Sequence, residues 1–206
     1  IERRANPTED IISDVATAEV NDEELNDAEM LSMLQQFLVA GNETTTKLLT
    51  NLIHRLAVDS ELEDKLRSNP DLIDNFIEEG LRYEAPVGGL FRMAKEDTQV
   101  NDIEIKAGDH LWVIYAAANR DPAIFDNPDD FLVDRENARE HLAFGHGEHY
   151  CIGALLARKE ARIAIQLLLA NIENIQLVED KNKYEYEESF VLRGLKELHV
   201  SYDVIS

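Results

Sequence analysis

One short stretch does most to decide the fold of this chain: Phe144-Gly145-His146-Gly147-Glu148-His149-Tyr150-Cys151-Ile152-Gly153. Two glycines precede the only cysteine and one follows it, directly before a predicted helix. Glycine permits tight turns that bring a backbone close to a flat ligand. The positive end of a helix favours a thiolate, which is a soft metal ligand. Cys151 is therefore either a metal ligand or, from the cysteine alone, a buried structural thiol.

The charge balance and the single cysteine limit the function classes. The chain has 20 Lys and Arg residues against 42 Asp and Glu residues, a formal net charge of −22. Such an acidic surface repels phosphate backbones and anionic lipids, so we expect no nucleic-acid or membrane partner. One cysteine excludes an internal disulfide and fits a reducing compartment. With no apolar run of about 18 residues and no signal peptide, a cytoplasmic protein is predicted.

Hydrophobic periodicity predicts a mainly helical protein with small β-sheets. Asn26 or Asp27 caps a helix of about 30 residues, and a second helix covers residues 71–83 before Pro86. A third helix covers residues 153–169. Its predicted apolar face consists of Leu155, Leu156, Ile163, Leu167 and Leu168.

Alternating β-branched and aromatic residues predict short strands around these helices. The candidates are residues 89–94, 99–100, 104–105, 110–115, 184–186, 190–192 and 198–202. The stretch 120–149 is rich in Pro, Asp and Asn, so it is predicted to be irregular.

The middle of the long helix has an unusual composition: Ala40-Gly41-Asn42-Glu43-Thr44-Thr45-Thr46. A glycine, a charge and three β-branched alcohols stand where Leu and Ala are normal, and each lowers helix propensity. Broken local rules inside a well-patterned element often mark function. A carboxylate beside a hydroxyl in a locally opened helix could relay protons through water. Alternatively, these alcohols bond the carbonyl four residues back and only pack the helix.

The cysteine loop, continued by Leu156-Ala157-Arg158, resembles the haem-binding signature of the cytochrome P-450 family at every fixed position. The resemblance implies the multihelical fold of that family, with Cys151 as the axial thiolate ligand of haem b. It also implies that His149 contacts a haem propionate, that Phe144 packs beside the cysteine, and that Gly145 and Gly153 border the cofactor.

A second motif, Glu79-Gly80-Leu81-Arg82, is followed by Tyr83-x-x-Pro86. Alone, Glu79 and Arg82 at this spacing predict only a weak surface ion pair. With its context, the motif resembles the conserved E-x-x-R helix of the family. The resemblance implies a structural network in which the pair joins Arg135.

Two further segments resemble functional parts of the family. The segment Ala40-Gly41-Asn42-Glu43-Thr44-Thr45 resembles its oxygen-activating region, which implies that Ala40 and Gly41 border the haem. Glu43 would then be the acid, and Thr44 the hydroxyl that orients the proton. Arg92 stands where the family places a propionate-binding arginine; the alternative is an exposed strand cation.

The resemblance implies a bacterial haem-thiolate monooxygenase that inserts one oxygen atom of O2 into a small organic substrate. Two electrons would come from NAD(P)H through a ferredoxin or flavodoxin-type donor. A cluster of basic residues would attract an acidic donor: Arg139, Arg158, Lys159 and Arg162. Alternatives are a peroxide-dependent haem enzyme, which would not need Glu43 and Thr44, or a haem-free fragment of the fold.

Family members are about twice as long as this chain, which starts without Met at Ile1. Residues 1–206 are therefore expected to form the C-terminal part of a single domain, and haem binding by this half to be weak or absent. Apolar residues at Leu34, Phe37 and Leu38 would lack some of their packing partners. Self-association of the chain is predicted.

Overall fold

A computed structural model describes residues 2–205. These residues form helices and short strands, with helix predominating. The α-helices are α1 (Glu2–Ala5), α2 (Ile11–Ala16), α3 (Asp27–Val58), α4 (Ser60–Ser68), α5 (Ile73–Tyr83), α6 (Tyr115–Ala118) and α7 (Ala154–Asn171). The strands are β1 (Glu19–Val20), β2 (Glu23–Glu24), β3 (Leu90–Met93), β4 (Thr98–Val100), β5 (Ile103–Ile105), β6 (His110–Val113), β7 (Ile172–Leu177) and β8 (Val200–Val204). The predicted class, mainly α with small sheets, is confirmed.

The described chain divides into two compact units, residues 2–43 and 44–205. The first unit is small. Its core consists of Val15, Ala16, Leu25 and Met30, with Ala18 and Leu34 packed against them. Asp10 caps α2 by accepting the Ser13 N–H at 2.8 Å. Hydrogen bonds from Thr8 and Ser13 lower the pKa of Asp10 to about 2.

The predicted long helix is confirmed as α3, which has 32 residues. A capping box fixes its start, because the Asn26 side chain accepts the Glu29 N–H and the Glu29 carboxylate accepts the Asn26 N–H. The helix continues through residues 40–46, so the expected local opening is absent from these described residues. Each unfavourable residue there costs at most about 1 kcal/mol of helix propensity. The many helical turns on both sides of the segment can offset this cost.

The second unit has its core where α3, α4, α5 and α7 meet. Buried residues from these helices form one cluster, which includes Leu48, Leu52, Leu66, Phe76 and Ile165. α3 and α5 pack closely because Gly80 has no side chain, and a Cβ there would collide with Leu52. A larger residue at Gly80 would therefore require the Leu52 side chain to move.

The predicted apolar face of α7 is largely wrong. The buried residues are Ala154, Ala161, Ile165 and Leu169, and of the predicted set only Leu168 packs against the core. The other four are exposed: Leu155 by 80%, Leu156 by 59%, Ile163 by 46% and Leu167 by 59%. α7 carries apolar residues on two faces, and its core-facing side includes small residues that permit close helix packing. Periodicity alone could not distinguish these faces.

The described strands pair into four antiparallel two-stranded sheets: β1–β2, β3–β6, β4–β5 and β7–β8. The predicted strands in residues 89–115 are confirmed, although Tyr115 begins α6. Residues 184–186 and 190–192 are not strands and contribute only single bridges, Tyr186 to Leu195 and Leu192 to Val87. The partner of the C-terminal strand β8 is β7, which was not predicted.

Candidate functional site

The cysteine loop is a tight, hydrogen-bonded turn that ends at the start of α7. Gly145 and Gly147 have φ of +73° and +69°, a region that glycine enters without strain. The Cys151 N–H donates to the Phe144 carbonyl at 2.8 Å, and the Cys151 carbonyl accepts the Ala154 N–H at 3.2 Å. The Cys151 side chain is exposed, so it is not a buried structural thiol. The loop presents a thiol at a helix N-terminus.

The neighbours of the thiol follow from the loop backbone. A Cβ at Gly153 would lie 3.9 Å from the Cys151 Sγ, at ordinary van der Waals distance, so Gly153 lies directly beside the sulfur. Phe144 is half-buried and packs against the core of the second unit. His149 is exposed at the end of a 3₁₀ turn, Gly147–His149. The loop therefore places Gly153 beside the exposed sulfur and Phe144 in backbone contact with Cys151, while Gly145 and His149 belong to the same turn.

Arg92 lies on β3, opposite Leu111 of β6. It is half-buried, and its Nη1 donates to the carbonyl of the adjacent Phe91 at 2.9 Å. This local bond leaves the remaining N–H groups of the guanidinium for other acceptors.

Glu79 is the centre of a fully buried ion-pair network. Arg82 binds both carboxylate oxygens, at 2.7 and 2.8 Å, and Arg135 Nε lies 3.1 Å from each. The Leu132 N–H donates a further bond at 2.9 Å. Arg82 also donates to the carbonyls of Asn119, Pro128 and Asp130. Glu79 and Arg82 are therefore not a surface ion pair. With Arg135 they bind the irregular segment to α5.

A second carboxylate, Glu78, forms a network that the sequence did not reveal. The guanidinium of Arg158 on α7 binds it through Nε at 2.7 Å and Nη2 at 3.0 Å. His141 Nε2 lies 3.0 Å from the same carboxylate. Burial alone would raise the pKa of Glu78, but the bonds from His141 and Arg158 outweigh it and lower that pKa to about 2. Glu78 is thus a buried anion at neutral pH.

The basic residues near the loop are less available than the sequence predicted. Arg158 is committed to Glu78, Arg162 lies 3.1 Å from Asp74, and Arg139 lies 3.6 Å from Glu78. Together with Lys159, these residues border a groove of about 620 Å³ between α5 and α7. The positive charge of the cluster is therefore partly neutralised from within.

The predicted relay residues are neighbours in α3. Glu43 is exposed and Thr44 is half-buried, as are the adjacent Thr45 and Leu49. A Cβ at Gly41 would meet no atom within 4 Å, so the helix surface is open at that point. Ala40 is also exposed. Glu43 belongs to the first unit and Thr44 to the second.

Comparison with known proteins identifies the class of this chain. The cytochrome P450 family model matches residues 2–199, and the chain belongs to that family. It is 42% identical to a cytochrome P450 of Bacillus subtilis (strain 168), covering 97% of this chain and 49% of the relative. The chain spans about half the length of the curated relatives it matches.

Solved structures show the same likeness. The substrate-free cytochrome P450 CYP150A6 of Mycobacterium marinum matches with a TM-score of 0.94 and 38% identity, over all of this chain and 52% of that one. P450BioI, solved in complex with hexadec-9Z-enoic acid ligated acyl carrier protein, matches with a TM-score of 0.90 and 39% identity, over 98% of this chain and 51% of that one. None of the described helices is long and apolar enough to cross a membrane.

The donor set fits the haem that the family implies. Within residues 2–205, no group of three or more His, Cys, Asp and Glu residues could hold a metal ion by itself. A single exposed thiol is, however, sufficient for an iron whose other ligands come largely from a macrocycle. The glycine-framed turn beside Cys151 gives a flat ligand close access to the sulfur.

Proposed function

We propose that residues 1–206 form the C-terminal part of a single haem-thiolate domain with monooxygenase activity. One atom of O2 enters a substrate C–H bond, and the other leaves as water after two electrons and two protons are added. The carrying observation is the exposed Cys151 thiol at the start of α7, in a chain that belongs to the cytochrome P450 family. Haem b, when bound through this thiolate, supplies the oxygen chemistry.

Other residues of the chain would hold and border the cofactor. His149 and Arg92 can donate hydrogen bonds to the propionates, the latter through the free arms of its guanidinium. We assign Phe144, Gly145 and Gly153 to the surroundings of the sulfur, and Ala40 and Gly41 to the border of the haem; the exposure of Ala40 and the open space around Gly41 support the latter assignment. Hydrogen bonds of the Cys151 N–H and carbonyl to Phe144 and Ala154 orient the residue within the loop.

We assign proton delivery to Glu43 and Thr44. The carboxylic acid of Glu43, exposed on α3, would take protons from solvent, and the Thr44 hydroxyl would accept and orient them for the oxygen chemistry that haem supplies when bound. The need for these two groups distinguishes O2 activation from a reaction that starts with peroxide.

Electrons would come from NAD(P)H, one at a time, through a ferredoxin or flavodoxin-type donor in the cytoplasm. The groove between α5 and α7 carries Arg139, Lys159 and Arg162, which complement an acidic donor in an otherwise strongly acidic chain. The substrate would be a small hydrophobic molecule.

The test is the coupling between NAD(P)H consumption and product in the haem-loaded protein, supplied with a ferredoxin and its reductase. Thr44→Ala should keep haem binding but divert reducing equivalents to hydrogen peroxide. Thr50→Ala is the matched control, because Thr50 lies on the same helix and its hydroxyl bonds the Thr46 carbonyl at 3.0 Å. Unchanged coupling in Thr44→Ala, with efficient turnover on added peroxide, would favour the peroxide-dependent alternative.

A further inference from the structure

Three polar side chains converge behind the cysteine loop from separate parts of the second unit. Glu78 lies on α5, His141 directly precedes the loop, and Arg158 lies on α7. Glu78 is 1% exposed and His141 is 7% exposed. Burying a carboxylate costs free energy unless it is paired and hydrogen-bonded. The position of Glu78 between two such partners therefore indicates a specific role.

The Arg158 guanidinium has two hydrogen-bond partners, Glu78 and Tyr150. Nε and Nη2 bind the two oxygens of Glu78, at 2.7 and 3.0 Å, in the fork geometry that suits a carboxylate. Nη1 donates to the Tyr150 hydroxyl at 3.2 Å. The same guanidinium stands 4.6 Å over the Phe144 ring. Arg158 therefore holds both the residue before Cys151 and the residue whose carbonyl accepts the Cys151 N–H.

His141 stabilises the segment that leads into the cysteine loop. Its Nδ1 accepts the Ala143 N–H at 3.1 Å, which leaves the ring proton on Nε2 to donate to Glu78 at 3.0 Å. The adjacent Leu142 N–H donates to the Asn119 side chain. The Gly145 N–H then donates to the Leu142 carbonyl at 2.9 Å. The buried residues Asn119 and His141 thus fix the Leu142 and Ala143 amides, and Leu142 in turn binds the first loop glycine.

We propose that Glu78, His141 and Arg158 form a positioning cluster that holds the Cys151 loop in its ligand-binding conformation before haem arrives. The inference deepens the proposed function, since it assumes that Cys151 is the ligand. None of the three residues is catalytic: Glu78 anchors the other two, and these fix the loop on either side of the thiol. A loop built mainly from glycine and exposed residues would otherwise have many accessible conformations.

The first test needs no haem and uses hydrogen exchange in the chain itself. Glu78→Gln keeps the shape of the side chain but removes its charge. Hydrogen bonds to charged groups are strong, and the variant weakens those of Glu78. Hydrogen exchange at the Cys151 and Ala154 amides should therefore accelerate by about tenfold or more. Amides in the second half of α7 serve as the internal reference and should change little.

Glu63→Gln is the matched control. Glu63 is also buried, at 4% exposure, and it binds Arg67 at 2.6 Å and the Ile175 N–H at 3.1 Å, both outside the loop. Its substitution should leave loop exchange unchanged relative to the rest of the unit. If Glu78→Gln does not fold, Tyr150→Phe, which removes only the hydroxyl bond from Arg158, should still accelerate loop exchange.

The second test is spectroscopic and separates this inference from the proposed function. After haem addition and reduction under CO, Glu78→Gln should show a smaller fraction of the red-shifted thiolate Soret band than Glu63→Gln does. Loop exchange and band fraction that are equal in the two variants would overturn the positioning role alone. Bound haem with a spectrum typical of histidine ligation in the unmodified protein would instead refute the ligand assignment, while the exchange test would still decide whether the cluster orders the loop.

Discussion

Glu78 and Glu79 are adjacent on α5, yet they stabilise different regions. Glu79 points to Arg82 and Arg135 and fastens the irregular segment before the loop. Glu78 points to His141 and Arg158 and fastens the loop itself together with α7. Neighbours on a helix are about 100° apart, so one buried helix can anchor two separate segments. The first network serves the fold, and the second connects the fold to the thiol.

Removing the first anchor should have the larger effect on folding. Glu79→Ala leaves two buried arginines without their anion, which we expect to cost about 3–5 kcal/mol, a large share of a typical domain's stability. The variant should yield little soluble protein, and its failure should be in folding. Urea denaturation measures the loss of stability, and the soluble yield replaces it if expression fails. The control is Glu61→Ala, at an exposed position. A folded, haem-binding Glu79→Ala variant that lacks only turnover would refute the structural role.

Neutralising the second anchor should cost less and should depend on pH. Glu78→Gln should lower the free energy of unfolding by about 2 kcal/mol near neutral pH. The pKa of Glu78 is depressed from 4.5 to about 2 in the folded chain, so the stabilisation is present above the unfolded pKa. It is lost as the pH falls from about 4.5 through about 2.

The difference between the unmodified protein and Glu78→Gln should therefore shrink as urea titrations move from pH 6 toward pH 3. The carboxylate also faces Arg139 at 3.6 Å, in addition to His141 and Arg158. Asp10, whose pKa is also low, is present in both proteins and cancels in the difference. A difference that does not change with pH would mean that Glu78 acts through shape and not charge.

The Glu79 network could be predicted from the sequence, whereas the Glu78 network could not. The network of Glu79, Arg82 and Arg135 was predicted from the resemblance of these segments to the family, whereas the spacing of Glu79 and Arg82 alone predicted only a weak surface ion pair. Glu78 has no such pattern, since a second glutamate in a helix usually indicates a solvated face. Its partners lie 63 and 80 residues away, and one helical pattern cannot specify such distant contacts. For the same reason the buried face of α7 was predicted wrongly, whereas the sustained pattern of α3 was sufficient.

Outside these networks, the described chain exposes apolar side chains that should drive association. Leu38 is 76% exposed and Phe37 36% exposed, whereas Leu34 packs against the core of the first unit. Burying a leucine contributes about 1.5–3 kcal/mol, so Leu38→Lys should weaken self-association about tenfold or more, with Gln36→Lys as control. Size-exclusion chromatography with light scattering, repeated during haem titration, provides the measurement. A monodisperse monomer that binds haem tightly and stoichiometrically would contradict both expected association and weak haem binding.

The most direct measurement is the absorption spectrum of the reduced, CO-bound, haem-loaded protein. Both glutamate networks have functional meaning only if the loop they support carries the iron ligand. With Cys151 as axial thiolate, the Soret band should be red-shifted, and Cys151→His should abolish that shift while the second unit stays folded. A spectrum typical of histidine ligation in the unmodified protein, or a thiolate band that survives in Cys151→His, would contradict the assignment.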